Sequence, residues 1–264
     1  MKSLSSLMIT SAVIAVSTTA SAALVAGDIA IVGYQASGLV TDSIAFASLV
    51  NLDAGTVVYF TDNGFTTGSG FRGVLSTDND GNENLMKFTV GSGGLAAGTV
   101  ISSRSTAYAS NWTFSGQISS TGGTAAYSQL SLSSTGEQIT ALISDNVQPL
   151  LSGYTSIYNF DNTGAYEAAT TSGTGQLAPG LVQGTSAILL PSPTSANFAN
   201  FNFAAFSGAA DRATWLARIG TASNWTTSAA TTDTADGSFS VGPVPAPGAV
   251  ALLGLAGLIS RRRR

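Results

Sequence analysis

The chain has 264 residues, with ten basic and fourteen acidic side chains, a formal net charge of −4, no cysteine and no histidine. Without those two residue types there is no Ser-His-Asp or Cys-His triad, no disulfide and none of the usual zinc ligands, so catalysis would have to come from carboxylates, Tyr, Ser/Thr, Lys or calcium. Lys2, Arg261, Arg262, Arg263 and Arg264 sit in terminal segments, which leaves Arg72, Lys87, Arg104, Arg212 and Arg218 against all fourteen acids, five against fourteen or −9. That balance argues against nucleic acid as a partner, because phosphate recognition needs clustered Lys and Arg.

In chain order, Met1-Lys2 opens a positive stretch, residues 7–16 are largely apolar, and Ala20-Ser21-Ala22 is an A-x-A step. This reads as a secretory signal helix over 1–22, cut by signal peptidase between Ala22 and Ala23. Residues 28–34, 43–50 and 56–61 are β-branched and aromatic runs joined by Gly, Asp and Asn, which predicts three strands, most simply a meander, with Asp62-Asn63-Gly64 closing the third. Leu52-Asp53-Ala54-Gly55-Thr56-Val57 is echoed by Leu95-Ala96-Ala97-Gly98-Thr99-Val100, each copy placing a glycine where a positive φ is wanted before a strand. Further strands are predicted at 85–90, 111–114, 138–144, 150–154, 186–190 and 201–206. One short helix is expected near 211–219, packed at a sheet edge: Asp211 can cap it, Trp215, Leu216 and Ile219 share a face, and Gly220 stops it. An all-β sandwich over 23–225 results, followed by a Thr/Ser/Ala/Asp/Gly spacer over 226–243 carrying at most a last strand at 239–241.

The final residues, 244–264, read V-P-A-P, then G-A-V-A-L-L-G-L-A-G-L-I, then S-R-R-R-R. Residues 248–259 have no polar side chain, so a helix there satisfies its own backbone in lipid. Twelve residues give roughly 18 Å against about 30 Å of hydrocarbon, a marginal membrane helix. Arg261, Arg262, Arg263 and Arg264 are a cytoplasmic stop that sets the N-terminus outside.

This tail resembles a PEP-CTERM sorting signal: the motif Val244-Pro245-Ala246-Pro247, a short apolar helix and a terminal arginine cluster. Ala246 stands where the namesake motif has glutamate, and V-P-A-P tails resemble a subgroup of the family. The resemblance implies recognition by an exosortase, a membrane-embedded cysteine transpeptidase-like enzyme, with cleavage near the proline motif and delivery to the cell surface or extracellular matrix. Residues 26–155 resemble the lamin-tail type of immunoglobulin-like β-sandwich through Ile44-Ala45-Phe46, L-x-A-G-T-V-V-Y-F-T-D over 52–62, and L-S-L-S-S-T-G-E-Q-I over 130–139. That family carries no single activity to transfer.

Asp78-Asn79-Asp80-Gly81-Asn82-Glu83 is the sharpest polar cluster. Laid on an EF-hand loop with Gly81 sixth, it puts Ser76 first and Lys87 twelfth, where an acid and a bidentate Glu are needed. A solvated hairpin loop is the reading preferred to a calcium site at Asp78, Asp80 and Glu83, and no cofactor is expected. Ser110-Asn111-Trp112-Thr113 recurs as Ser223-Asn224-Trp225-Thr226; core tryptophans are preferred to sugar platforms or glycan acceptors. Nothing in the sequence fixes two carboxylates at glycosidase spacing. The reading is a non-enzymatic surface or matrix protein, structural or adhesive, with extracellular polysaccharide as a conceivable partner; the alternative is a carboxylate- or calcium-dependent hydrolase of extracellular polymer. A concave pocket lined by two or more acids favours the enzyme, and a smooth sandwich with scattered acids favours the binder.

Overall fold

The computed structural model describes residues 23–36, 42–72, 84–114, 130–146, 150, 152–167, 174–191, 197–229 and 234–242. Residues 1–22 and 244–264, with the signal and sorting segments, lie outside the described residues, as do Asp78, Asp80 and Glu83. Among the described residues no helix is long and apolar enough to cross a membrane.

The strands are β1 (Ile29–Gln35), β2 (Ser43–Ser48), β3 (Val57–Thr61), β4 (Phe65–Thr66), β5 (Gly70–Phe71), β6 (Leu85–Thr89), β7 (Thr99–Ser102), β8 (Trp112–Thr113), β9 (Gln138–Ser144), β10 (Tyr154–Asp161), β11 (Ala187–Leu189), β12 (Phe198–Phe201), β13 (Trp225–Ser228) and β14 (Gly237–Ser238), with the helix α1 (Arg212–Ile219) before β13. They form two six-stranded sheets in a sandwich arrangement, ordered β13-β12-β1-β2-β7-β14 and β11-β10-β9-β3-β6-β8, with β4 and β5 as a separate hairpin. Every residue of β1 and β2 is buried, as expected of interior strands rich in Ile, Val, Phe and Tyr.

The first three strands do not form a meander. β3 leaves the sheet of β1 and β2 and pairs with β6 and β9 in the other. The cause lies in the connection: the buried Leu52 exchanges backbone hydrogen bonds with the buried Leu95, 2.8 Å in each direction. The two echoed segments thus pair with each other. Gly55 and Gly98 then turn the chain at φ +82° and +86°. At Gly98 a Cβ would stand 1.9 Å from the Phe239 carbonyl oxygen, so glycine is required twice over.

Aromatic rings join the sheets. Phe46 lies 5.1 Å from both Phe60 and Phe88, Tyr34 stacks on Phe160 at 5.3 Å, and Phe160 meets Trp225 at 5.6 Å. Such pairs add about 0.5–1.5 kcal/mol each beyond area burial. Both repeated tryptophans are core residues that begin edge strands after a 3-10 turn. Each indole donates to a backbone carbonyl, Trp112 to Ser102 at 3.2 Å and Trp225 to Ile219 at 2.7 Å. Asn111 and Asn224 spend their side-chain amides on the Thr89 and Arg218 carbonyls.

The helix forms where expected. Hydrogen bonding from the Thr214 hydroxyl and then from its amide, which donates to the Asp211 carboxylate at 2.7 Å, holds the Asp211 pKa below the usual range, and Trp215, Leu216 and Ile219 are buried. Arg212 ties it to the start of β1, donating to the Gly27 and Ala26 carbonyls and pairing with Asp28 at 3.0 Å. Gly220 ends the helix at φ −71°, not in a left-handed conformation; its missing Cβ makes room for the Gly184 backbone, which a Cβ would meet at 2.3 Å.

Further expectations are corrected. The strand foreseen at 150–154 runs Tyr154–Asp161 instead, and the one foreseen at 201–206 ends at Phe201, followed by a 3-10 turn at Phe203–Ala205. The described residues 226–229 and 234–242 are not a free spacer: they supply most of β13 and all of β14, with most of these residues exposed. Their polar side chains bond into the fold, Thr234 with Ser43 and Ser102 at 3.1 and 2.7 Å, and Asp236 with the Ser102 amide and the Ser105 hydroxyl at 2.9 and 2.5 Å. The portion 26–155 does not close on itself either, because β12 flanks β1 and β10 flanks β9.

Candidate functional site

β9 reads Q-I-T-A-L-I-S, and its alternation sends Ile139 and Ala141 into the inter-sheet core while Gln138, Thr140 and Leu142 take the outer face. The outer face is buried too. The β4–β5 hairpin and the segment from Thr174 onward cover it, with Tyr59, Phe65, Phe71, Leu85, Leu142 and Leu150 in one apolar cluster. Beside that cluster lies a polar array built from directly opposed residues of β9 and β10. Asn159 donates to Thr140 at 3.0 Å and Gln138 to Asp161 at 3.3 Å, while the Gln138 carbonyl oxygen accepts from the Phe65 amide at 3.1 Å. The cover passes so close that a Cβ on Gly175 would stand 2.0 Å from that oxygen.

Asp161 is fully buried, and desolvation pushes its carboxyl up to about 6; the Thr163 hydroxyl and amide, at 2.7 and 2.8 Å, and Gln138 hold part of the rise back. Burial likewise pushes the Tyr158 and Tyr166 hydroxyls up, and neither has a hydrogen-bond partner. At the far end of β1, Tyr34 donates to the Ser133 carbonyl, and its own pKa is raised by burial and then by Glu137.

An open groove of about 630 Å³ runs beside this layer, between the turn at 53–57, Tyr59, the end of β9 at 143–145 and the start of the chain at Ala23 and Leu24. Two exposed carboxylates, Asp53 and Asp145, line it together with the hydroxyl-bearing Thr56, Ser144 and Thr155. The turn that carries Asp53 is fixed by Thr56 donating to its carbonyl at 3.1 Å and Gly55 donating to Val90 at 2.8 Å. Across the groove, Ser144 accepts from Asn146 at 3.0 Å and donates to Gly153 at 3.2 Å, which ties the β9–β10 connection. A second hollow of about 510 Å³, lined by Phe65, Tyr154, Pro179 and their neighbours, shares Gly153 and Thr155 with the first. Burial raises the Tyr154 hydroxyl pKa. An open channel with hydroxyls, carboxylates and tyrosine rings suits a polyhydroxylated ligand lying along it.

Of the residues singled out in the sequence, Ala23 lines this groove, and Trp112 and Trp225 are structural. Ala20, Ala22, Val244, Pro245, Ala246, Pro247 and the four terminal arginines lie outside the described residues. Among the described residues no group of three or more Asp and Glu side chains is placed to hold a metal ion. Sequence reasoning reached Asp53 only as part of a turn and passed over Asp145. Their meeting depends on β3 crossing to the second sheet beside β9, which neither segment encodes alone. No family model, curated protein or solved structure matches the chain.

Proposed function

We propose that this is an exported protein, passed through the inner membrane by its signal peptide and sorted by an exosortase-type tail to the cell surface or extracellular matrix. There its sandwich, read as immunoglobulin-like of the lamin-tail type, has a structural or adhesive role. One observation supports the reading: the described packing begins and ends beside the two expected processing segments. Leu24, one residue past the expected signal cleavage, is already packed in the core, and the Val25 amide donates to Asp28 at 2.8 Å. At the other end Val241 bridges to Ala210 and Gly242 donates to the Ala210 carbonyl at 3.0 Å, two residues before Val244. Either cut falls outside the packing of the described residues. The hydroxyl-lined groove supports an adhesive role toward extracellular polysaccharide.

The test compares the mature mass and cell fraction of the intact chain with those of a chain lacking Arg261, Arg262, Arg263 and Arg264. Deletion should leave an unprocessed, membrane-retained form; unchanged mass and location sink the sorting reading.

A second reading, a secreted hydrolase of extracellular polymer, is favoured by the same groove, since it is concave and lined by two acids. It predicts release of reducing ends from exopolysaccharide, lost in Asp53→Asn and Asp145→Asn with binding kept. Binding without turnover in the unaltered protein rejects it, and a chelator arm tests calcium dependence.

A further inference from the structure

The corner built around α1 presents partly exposed aromatic and aliphatic side chains, and Gly242, the last described residue, bonds to Ala210 beside it. Phe203, Phe206 and Phe239 are each only half-buried. They ring Trp215, with Phe239 at 4.4 Å from it and stacked on Phe203 at 4.9 Å. The two large aliphatic side chains that are more than half exposed among the described residues, Val25 at 53% and Val182 at 59%, flank the same helix. Val25 precedes Ala26, whose carbonyl accepts from Arg212; Val182 is two residues from Gly184, whose backbone lies against Gly220.

We propose that this corner docks on the bilayer interface while the tail is still in the membrane. The inference rests on the sorting reading. Five residues, 243–247, separate Gly242 from the apolar run that starts at Gly248. However they are arranged, the six steps from Gly242 to Gly248 reach at most about 22 Å, so the α1 corner stays in the neighbourhood of the lipid. An aromatic surface held there gains by entering the headgroup–acyl boundary, where amphipathic rings are at home.

Of the five basic residues outside the terminal segments, two are on α1; Arg212 is paired with Asp28 and Asp211 caps the same helix, so Arg218 is the cation this corner offers to anionic lipid, while the ectodomain as a whole is acidic. The Arg218 guanidinium lies 4.8 Å over Phe206 and 4.6 Å over Trp215, and one of its terminal nitrogens is buried there without a hydrogen-bond partner. A cation over aromatic rings at the lipid boundary meets a phosphate above while its stem stays among the rings.

The absence of cysteine allows single labels. The full, unprocessed chain with Ser207→Cys beside Phe206, or with Thr135→Cys at the opposite end of the sandwich, is coupled to an environment-sensitive fluorophore. Each is reconstituted in phosphatidylcholine–phosphatidylglycerol vesicles carrying lipids brominated near the headgroup. The label at position 207 should shift to the blue and lose most of its intensity to the brominated lipid, and the label at 135 should do neither. Phe206→Ser with Val182→Ser, both at surface positions, should abolish quenching at 207 with flotation of the vesicle-bound chain unchanged. A Gly-Ser insertion of about twenty residues after Gly242 frees the corner from its tether; quenching that persists shows that the surface itself binds. Equal quenching at 207 and 135 in floated protein, or its loss on insertion, overturns the docking alone. Failure of the chain to float with vesicles overturns the sorting reading and the docking together.

Discussion

On the inner face of β9 and β10, Ile139, Ala141 and Phe160 meet the first sheet through apolar contact. One residue along each strand, Gln138, Thr140, Asn159 and Asp161 are equally shut off from water on the outer face, held by hydrogen bonds. The inner face is filled by volume, so its cost of change scales with the cavity left behind. The outer face is filled by matched donors and acceptors, so removing one atom strands its partner. One unpaired atom already sits there, the Asn159 carbonyl oxygen, which leaves that layer little slack.

The sharpest way to break this comparison is Phe160→Ala, which opens a cavity between Tyr34 and Trp225 and should cost about 3–5 kcal/mol in urea denaturation. A loss below about 1 kcal/mol would mean that the inner face is not packed as described. Asp161 tests the outer face through pH. Its carboxyl titrates at about 6 in the fold against an ordinary 3.8, so the folded chain holds the proton more tightly than the unfolded one. Its contribution is therefore most favourable below about pH 4 and is lost as pH rises through 6, by up to about 3 kcal/mol. Asp161→Asn should remove that slope from urea melts taken between pH 4 and 7; a variant parallel to the parent refutes the buried-acid account. Two near-isosteric changes in one strand set the faces side by side. Thr140→Val strands the Asn159 amide and should cost about 1–3 kcal/mol, against about 0.5–1.5 kcal/mol for Ile139→Val. The reverse order would show that hydrogen bonding does not govern the outer layer.

The same strands explain what could be read in advance. β9 was legible because its alternation is regular, and α1 because Asp211, Trp215, Leu216, Ile219 and Gly220 each stand where helix chemistry puts them. β10, Y-T-S-I-Y-N-F-D, was misplaced because it is buried on both faces and carries a register slip between Ser156 and Tyr158, so no simple period survives. The stretch 226–242 misled by composition: Thr234 and Asp236 have the polarity of a linker and the partners of a core strand. The outer cover was hidden because Gly175 and Gln176 act without regular secondary structure, through contact with Gln138 and hydrogen bonding to Phe65. The groove was hidden because it belongs to the pairing of β3 with β9 and not to any one segment.

Because β1 lies between β2 and β12, the first strand made keeps one bare side until Phe198–Phe201 arrives, and β7 keeps one until Gly237–Ser238 does. Synthesis from the N-terminus therefore cannot complete the first sheet until nearly all of the chain has emerged. Up to that moment the nascent polypeptide presents open strand edges, the natural substrate of holdase chaperones. The latch lies near the end of the described residues, where β14 pairs with β7 and the Phe239 amide donates to the Gly98 carbonyl at 2.8 Å, so truncation before Gly237 should leave an assembly that never locks.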